Sequence, residues 1–93
     1  MQDYVRMDIP KDFTVESVAD FRLKIRDYMY EGKINFVFNF SKCDFIDSTG
    51  LGALVSIYKK CVEKQGTLKL QHLKPEVNEL FKLTRLDRVF DIE

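Results

Sequence analysis

Asp47, Ser48 and Thr49 set one carboxylate and two hydroxyls side by side, directly ahead of Gly50-Leu51-Gly52. Residues of these types can do three things. A hydroxyl can attack as a nucleophile, accept a phosphoryl group, or cap a helix. The nucleophile needs a base, and His72 is the only imidazole in the chain. Ser48 also lacks the Gly-x-Ser-x-Gly elbow of a hydrolase. Gly50-Leu51-Gly52 does not extend to a dinucleotide fingerprint, because Val55 stands at the third glycine position. No lysine follows a glycine in a phosphate-binding loop of Walker type. Cys43, Cys61 and a single histidine fit no zinc spacing. No catalytic residue, metal ligand or cofactor is therefore expected.

The elements that hold these residues are legible from periodicity. Ile34, Phe36, Phe38 and Phe40 alternate against Asn35, Val37 and Asn39, which predicts a strand. Leu51, Leu54, Val55, Tyr58 and Val62 recur at three- and four-residue spacing, the stripe of an amphipathic helix. Ser48 falls where that helix begins. A helix start has four unbonded N–H groups and about half a positive charge. Ser48 is thus placed either to cap the helix or to carry an added anion. Gly50 and Gly52 lie in its first turns, each costing about 1 kcal/mol relative to alanine. Two such costs imply a bare backbone approached closely by something, and that marks the functional site.

The rest of the chain alternates in the same manner. Tyr4 to Ile9 reads as a half-buried strand with Val5, Met7 and Ile9 inward, ended by Pro10. Lys11 to Thr14 is a loop that leads, through Thr14 or Asp12 as cap, to a helix with Val18, Phe21, Ile25 and Met29 inward. Tyr28 and Tyr30 widen its stripe and Gly32 stops it. The second helix ends near Lys64, with Gly66 as its left-handed stop. Thr67 to Gln71 is a strand, and Pro75 opens a third helix with Val77, Leu80, Phe81 and Thr84 inward. Val89 to Ile92 closes the chain as a short strand. Strands alternating with helices predict right-handed crossovers and a largely parallel sheet. The expected fold is a small α/β domain, a mixed sheet of four or five strands with its helices mainly on one face. Phe36, Phe38, Leu54, Leu68, Leu70 and Phe81 should be core.

Composition narrows the class of partner. The 93 residues make one domain, and 45% hydrophobic content suits a folded globule. Fifteen basic and fifteen acidic residues give a formal net charge of +0, so no electrostatic footprint for nucleic acid or an anionic membrane is expected. No apolar run approaches the ~20 residues of a bilayer span. With no signal-peptide core at the N-terminus, a cytoplasmic location without membrane insertion is expected. Cys43 and Cys61 read as small buried hydrophobes.

Ile46-Asp47-Ser48-Thr49-Gly50-Leu51-Gly52 resembles the signature of the STAS domain, shared by anti-sigma factor antagonists and sulphate transporters. The resemblance continues through Lys64 to Leu70 and Glu79 to Leu86, and covers most of the chain. It implies a single STAS domain over residues 1–93, trimmed at both ends relative to the family. It also implies a stand-alone antagonist whose partners are an anti-sigma factor with serine kinase activity and a serine phosphatase. The unphosphorylated form would bind the kinase and release the sigma factor, and phosphorylation would switch binding off. The phosphorylated serine corresponds to Ser48, with Thr49 the weaker candidate. Asp47, Ser48, Thr49, Gly50, Leu51 and Gly52 would form the partner surface. Asp12, near the place of the family's loop aspartate, would join them. The alternative within the resemblance is a docking subunit of a membrane transport or lipid-trafficking assembly, with no phospho-switch.

Overall fold

Phe36, Phe38 and Phe40 face one way from a central strand and are fully buried. The computed structural model describes residues 3–93. In chain order its elements are β1 (Val5–Asp8), β2 (Asp12–Phe13), α1 (Val15–Tyr30), β3 (Asn35–Asn39), β4 (Phe45–Ile46), α2 (Ser48–Glu63), β5 (Thr67–Gln71) and α3 (Pro75–Leu83). A 3-10 turn (Leu86–Arg88) and β6 (Asp91–Ile92) complete it. The main sheet runs β1-β3-β5-β6, with Val5 and Leu68 flanking Phe36, and Met7 and Leu70 flanking Phe38. The α/β class is as expected. The sheet, expected to be mixed, is parallel in every pairing among the described residues. Each connection within it carries a helix, which returns the chain to the same sheet end.

All three helices pack into one cluster with the Phe36–Phe38–Phe40 face, and all six residues expected in the core are there. Two chains of edge-to-face aromatics organise the cluster. Phe13 meets Phe21 at 5.2 Å and Phe21 meets Phe38 at 5.1 Å, which ties β2 through α1 to the central strand. Phe40, Phe81 and Phe90 do the same for α3 and the C-terminal turn, at 6.1 and 5.8 Å. Each such pair adds about 0.5–1.5 kcal/mol beyond the area it buries. Val37 is buried on the opposite face, outside that cluster, with Arg6 and Lys69 beside it in register.

Several local expectations shift. Thr14 is the α1 cap, and its N–H donates to Ser17 Oγ at 3.1 Å. Tyr28 packs on Phe36, whereas Tyr30 is exposed beneath the Arg26 guanidinium instead of widening the stripe. The buried face of α2 is Gly50, Ala53, Leu54, Ile57 and Cys61. It is rotated from the predicted stripe, and Val62 is exposed. Thr84, expected inward, is exposed and its hydroxyl donates to the Leu80 carbonyl at 2.9 Å. After α2 the left-handed residue is Gln65, at φ 62°, not Gly66. Gly66 is required for another reason: a Cβ there would lie 1.9 Å from the Ile34 carbonyl oxygen. The last strand is only Asp91–Ile92, because the 3-10 turn and buried Phe90 take the residues before it.

Candidate functional site

The site rests on a small second sheet, β2 with β4, where the sequence predicts two loops. β2 pairs with β4 in parallel, Asp12 opposite Phe45 and Phe13 opposite Ile46. The Lys11 carbonyl accepts from the N–H groups of Asp44 and Phe45, at 2.8 and 3.2 Å. Asp47 N–H then donates to the Phe13 carbonyl at 3.4 Å. Two-residue strands are too short to show any alternation, so periodicity had nothing to report. The ribbon brings Asp12 to the same end of the domain as the start of α2.

At that start the roles divide. Asp47 is the N-cap: its carboxylate accepts from Gly50 N–H at 3.0 Å, and its carbonyl accepts from Leu51 N–H at 3.0 Å. Ser48 is the first helical residue and is exposed, and among the described residues its hydroxyl has no hydrogen-bond partner. The cap reading of Ser48 therefore falls away, because a carboxylate one residue earlier already does that work. Thr49 is exposed beside it. Neither Ser48 nor Thr49 has an acceptor for its N–H within the helix, so the positive end of α2 lies open next to a free hydroxyl.

The two glycines behave differently. Gly52 is exposed, with nothing within 4 Å of where a Cβ would stand. Gly50 is buried, and a Cβ there would lie 2.3 Å from the Phe13 carbonyl oxygen and 2.7 Å from Ile46 Cγ1. What approaches Gly50 is the chain's own ribbon, not an outside molecule. The expected place of Gly50 on a partner surface is corrected accordingly. Leu51 is half-buried against the core. Asp12, Ser48, Thr49 and Gly52 are exposed and Asp47 is half-buried.

Ahead of α2, Asp44 forms an ion pair with Lys74 at the start of α3. That hydrogen bond and charge hold the Asp44 carboxyl below its ordinary range. Cys43 is fully buried and burial pushes its thiol up, while the Cys61 thiol is pushed up to about 11 by burial alone. Both are free thiols. His72 is exposed at φ 62°, at the end of β5. Among the described residues no three His, Cys, Asp or Glu side chains are grouped to hold a metal ion. Among those residues no helix is long and apolar enough to cross a membrane. Phe45 and Leu83, to which periodicity assigns no role, are large apolar side chains left 54% and 74% exposed.

A parallel sheet with helices on one face, and an open helix start capped independently of its hydroxyl, define a small α/β domain with an exposed surface site. The chain belongs to the STAS domain family, whose match covers residues 3–93. It is 32% identical over 77 residues to the anti-sigma-B factor antagonist of Bacillus subtilis strain 168, covering 83% of this chain. The match spans 57% of that relative's own length. Among solved structures, the Thermotoga maritima protein TM1081 superposes with a TM-score of 0.89 at 26% identity, over 99% of this chain and 80% of that one. The fold is also that of the Bacillus cell fate determinant SpoIIAA in its phosphorylated form. There the TM-score is 0.77 at 19% identity, over all of this chain and 85% of the other.

Proposed function

We propose that this chain is an anti-sigma factor antagonist whose binding is switched at Ser48. The observation that carries the reading is the exposed Ser48 hydroxyl, uncommitted beside a helix that Asp47 caps. The similarity to a protein named as an anti-sigma-B factor antagonist supports the class. The fold shared with SpoIIAA, a protein solved in a phosphorylated form, supports a fold that survives such a modification.

Phosphorylation of Ser48 adds about −1.5 to −2 charge at pH 7. The open N–H groups and dipole of α2 favour that anion, and no cap is lost, so the domain keeps its fold. A partner seated over Asp47, Ser48, Thr49, Gly52 and Asp12 meets a dianion instead of a neutral hydroxyl. Repulsion and desolvation there amount to several kcal/mol, and each ~1.4 kcal/mol is tenfold in affinity. The switch acts in the interface. The partners are an anti-sigma factor with serine kinase activity and a serine phosphatase that reverses it, and Thr49 is the secondary acceptor.

The test is affinity for a kinase-type anti-sigma factor from the same source, by titration calorimetry. Ser48→Ala should bind as the unmodified protein does and resist inactivation by kinase with ATP. Ser48→Asp should lose about a hundredfold or more in affinity with its melt unchanged. Binding that survives aspartate, with no phosphate at Ser48 or Thr49, would overturn the switch and leave a constitutive docking subunit of a membrane transport or lipid-trafficking assembly.

A further inference from the structure

We propose that the groove between β4 and α3 is a second docking surface, and that its occupant is a basic amphipathic helix of a protein partner. The groove encloses about 310 Å³ and opens to solvent. Its apolar walls are Phe45 from β4 and Leu80 and Leu83 from α3. Single exposed apolar side chains are ordinary on a protein surface, but Phe45 and Leu83 line the same groove at 54% and 74% exposure.

The charge on the lining selects the occupant. Asp44, Glu76 and Glu79 are the charged residues of the lining, and among the described residues no Lys or Arg belongs to it. Asp44 is paired with Lys74, whereas Glu76 and Glu79 take part in no ion pair among the described residues. An apolar wall edged by two unpaired carboxylates complements leucine-like side chains flanked by Lys or Arg. The same carboxylates repel an anionic lipid surface. Strand addition is disfavoured because β4 offers only two residues of edge. A helix laid along the groove needs no such edge and presents its anchors at i, i+3, i+4 and i+7.

β4 leads through Asp47 into Ser48, so the groove and the switch surface adjoin one another. A partner covering the helix start can therefore reach the groove without leaving the domain. The proposal rests on the switch reading only for which protein carries the helix. The Ser48 side chain does not line the groove, so its apolar walls are the same residues in either charge state of Ser48.

The experiment uses two labelled helical peptides of about 15 residues, with leucines on one face and either lysines or glutamates flanking them. Fluorescence anisotropy should show the lysine peptide binding at least about tenfold more tightly than the glutamate peptide. Leu83→Gln and Phe45→Ser, both at exposed side chains, should each weaken it about tenfold without moving the thermal melt. Glu76→Lys with Glu79→Lys should reverse the preference between the peptides. Equal affinity for both peptides, no binding of either, or Leu83→Gln without effect would overturn the groove, whatever Ser48→Asp does to the anti-sigma factor. Groove-dependent peptide binding would uphold it even where Ser48→Asp leaves that factor bound, which overturns only the switch.

Discussion

The carboxylate of Asp47 accepts the Gly50 N–H at 3.0 Å, and this one bond separates capping from signalling at the start of α2. Removing the cap should destabilise the fold: Asp47→Ala is expected to cost about 0.5–2 kcal/mol. Ser48→Ala removes a hydroxyl with no partner and should change stability by less than about 0.5 kcal/mol. Thermal melts of the two variants check this order, and a larger loss at Ser48 would return the cap to the serine.

Gly50 and Gly52 should respond in opposite directions. Gly50→Val places a Cβ 2.3 Å from a backbone oxygen of Phe13, which cannot rotate away as a side-chain tip could. Separating β2 from α2 should cost about 1–3 kcal/mol or more, enough to threaten the fold. Gly52→Ala meets nothing within 4 Å and should stabilise α2 by about 1 kcal/mol. Urea midpoints of both variants give the comparison. If Gly52→Val kept its fold and its full affinity for the anti-sigma factor, Gly52 would have no place on the partner surface.

Acid should loosen the contact between β4 and α3. Lys74 holds the Asp44 carboxyl below its ordinary value, so folding favours the charged form. The contribution is complete above the unfolded carboxylate value of about 4, and is lost as pH falls through the lower native value. Asp44→Asn should therefore melt below the unmodified protein near neutral pH, and the gap should close in acid. A gap that stays constant from pH ~6 to pH ~2.5 would show that the ion pair adds no pH-dependent stability.

Cys43 and Cys61 should be silent to thiol reagents in the native state. Both are buried, and burial pushes the Cys61 thiol up to about 11. Thiolate is the reactive form, so at pH ~8 its population alone slows Cys61 by about a hundredfold relative to an unperturbed thiol. Labelling followed by mass spectrometry should show both cysteines modified only as denaturant unfolds the chain. Rapid native labelling of either would mean that the core opens locally.

Local pattern was sufficient for the main elements of this protein. The phenylalanine alternation of β3 and the Pro75 start of α3 depend on neighbours within one or two turns of chain. So does the short polar run before α2, and such neighbours are visible in a sequence. The same run could not say whether Asp47 or Ser48 is the cap, because both carry an oxygen at the right spacing. Tertiary structure decided it: Phe13 accepts the Asp47 N–H and packs against Gly50, which sets where the first helical turn begins. That contact joins residues more than thirty positions apart and leaves no periodic trace. Gly66 has the same history. Its glycine reads locally as a helix stop, yet the Ile34 backbone just ahead of β3 is what excludes a side chain there, and Gln65 takes the left-handed turn. The groove of Phe45 and Leu83 exists only because the β2–β4 ribbon lies beside α3. Which residues alternate was written in the chain, and which surfaces meet was settled by the register of short strands that only packing can choose.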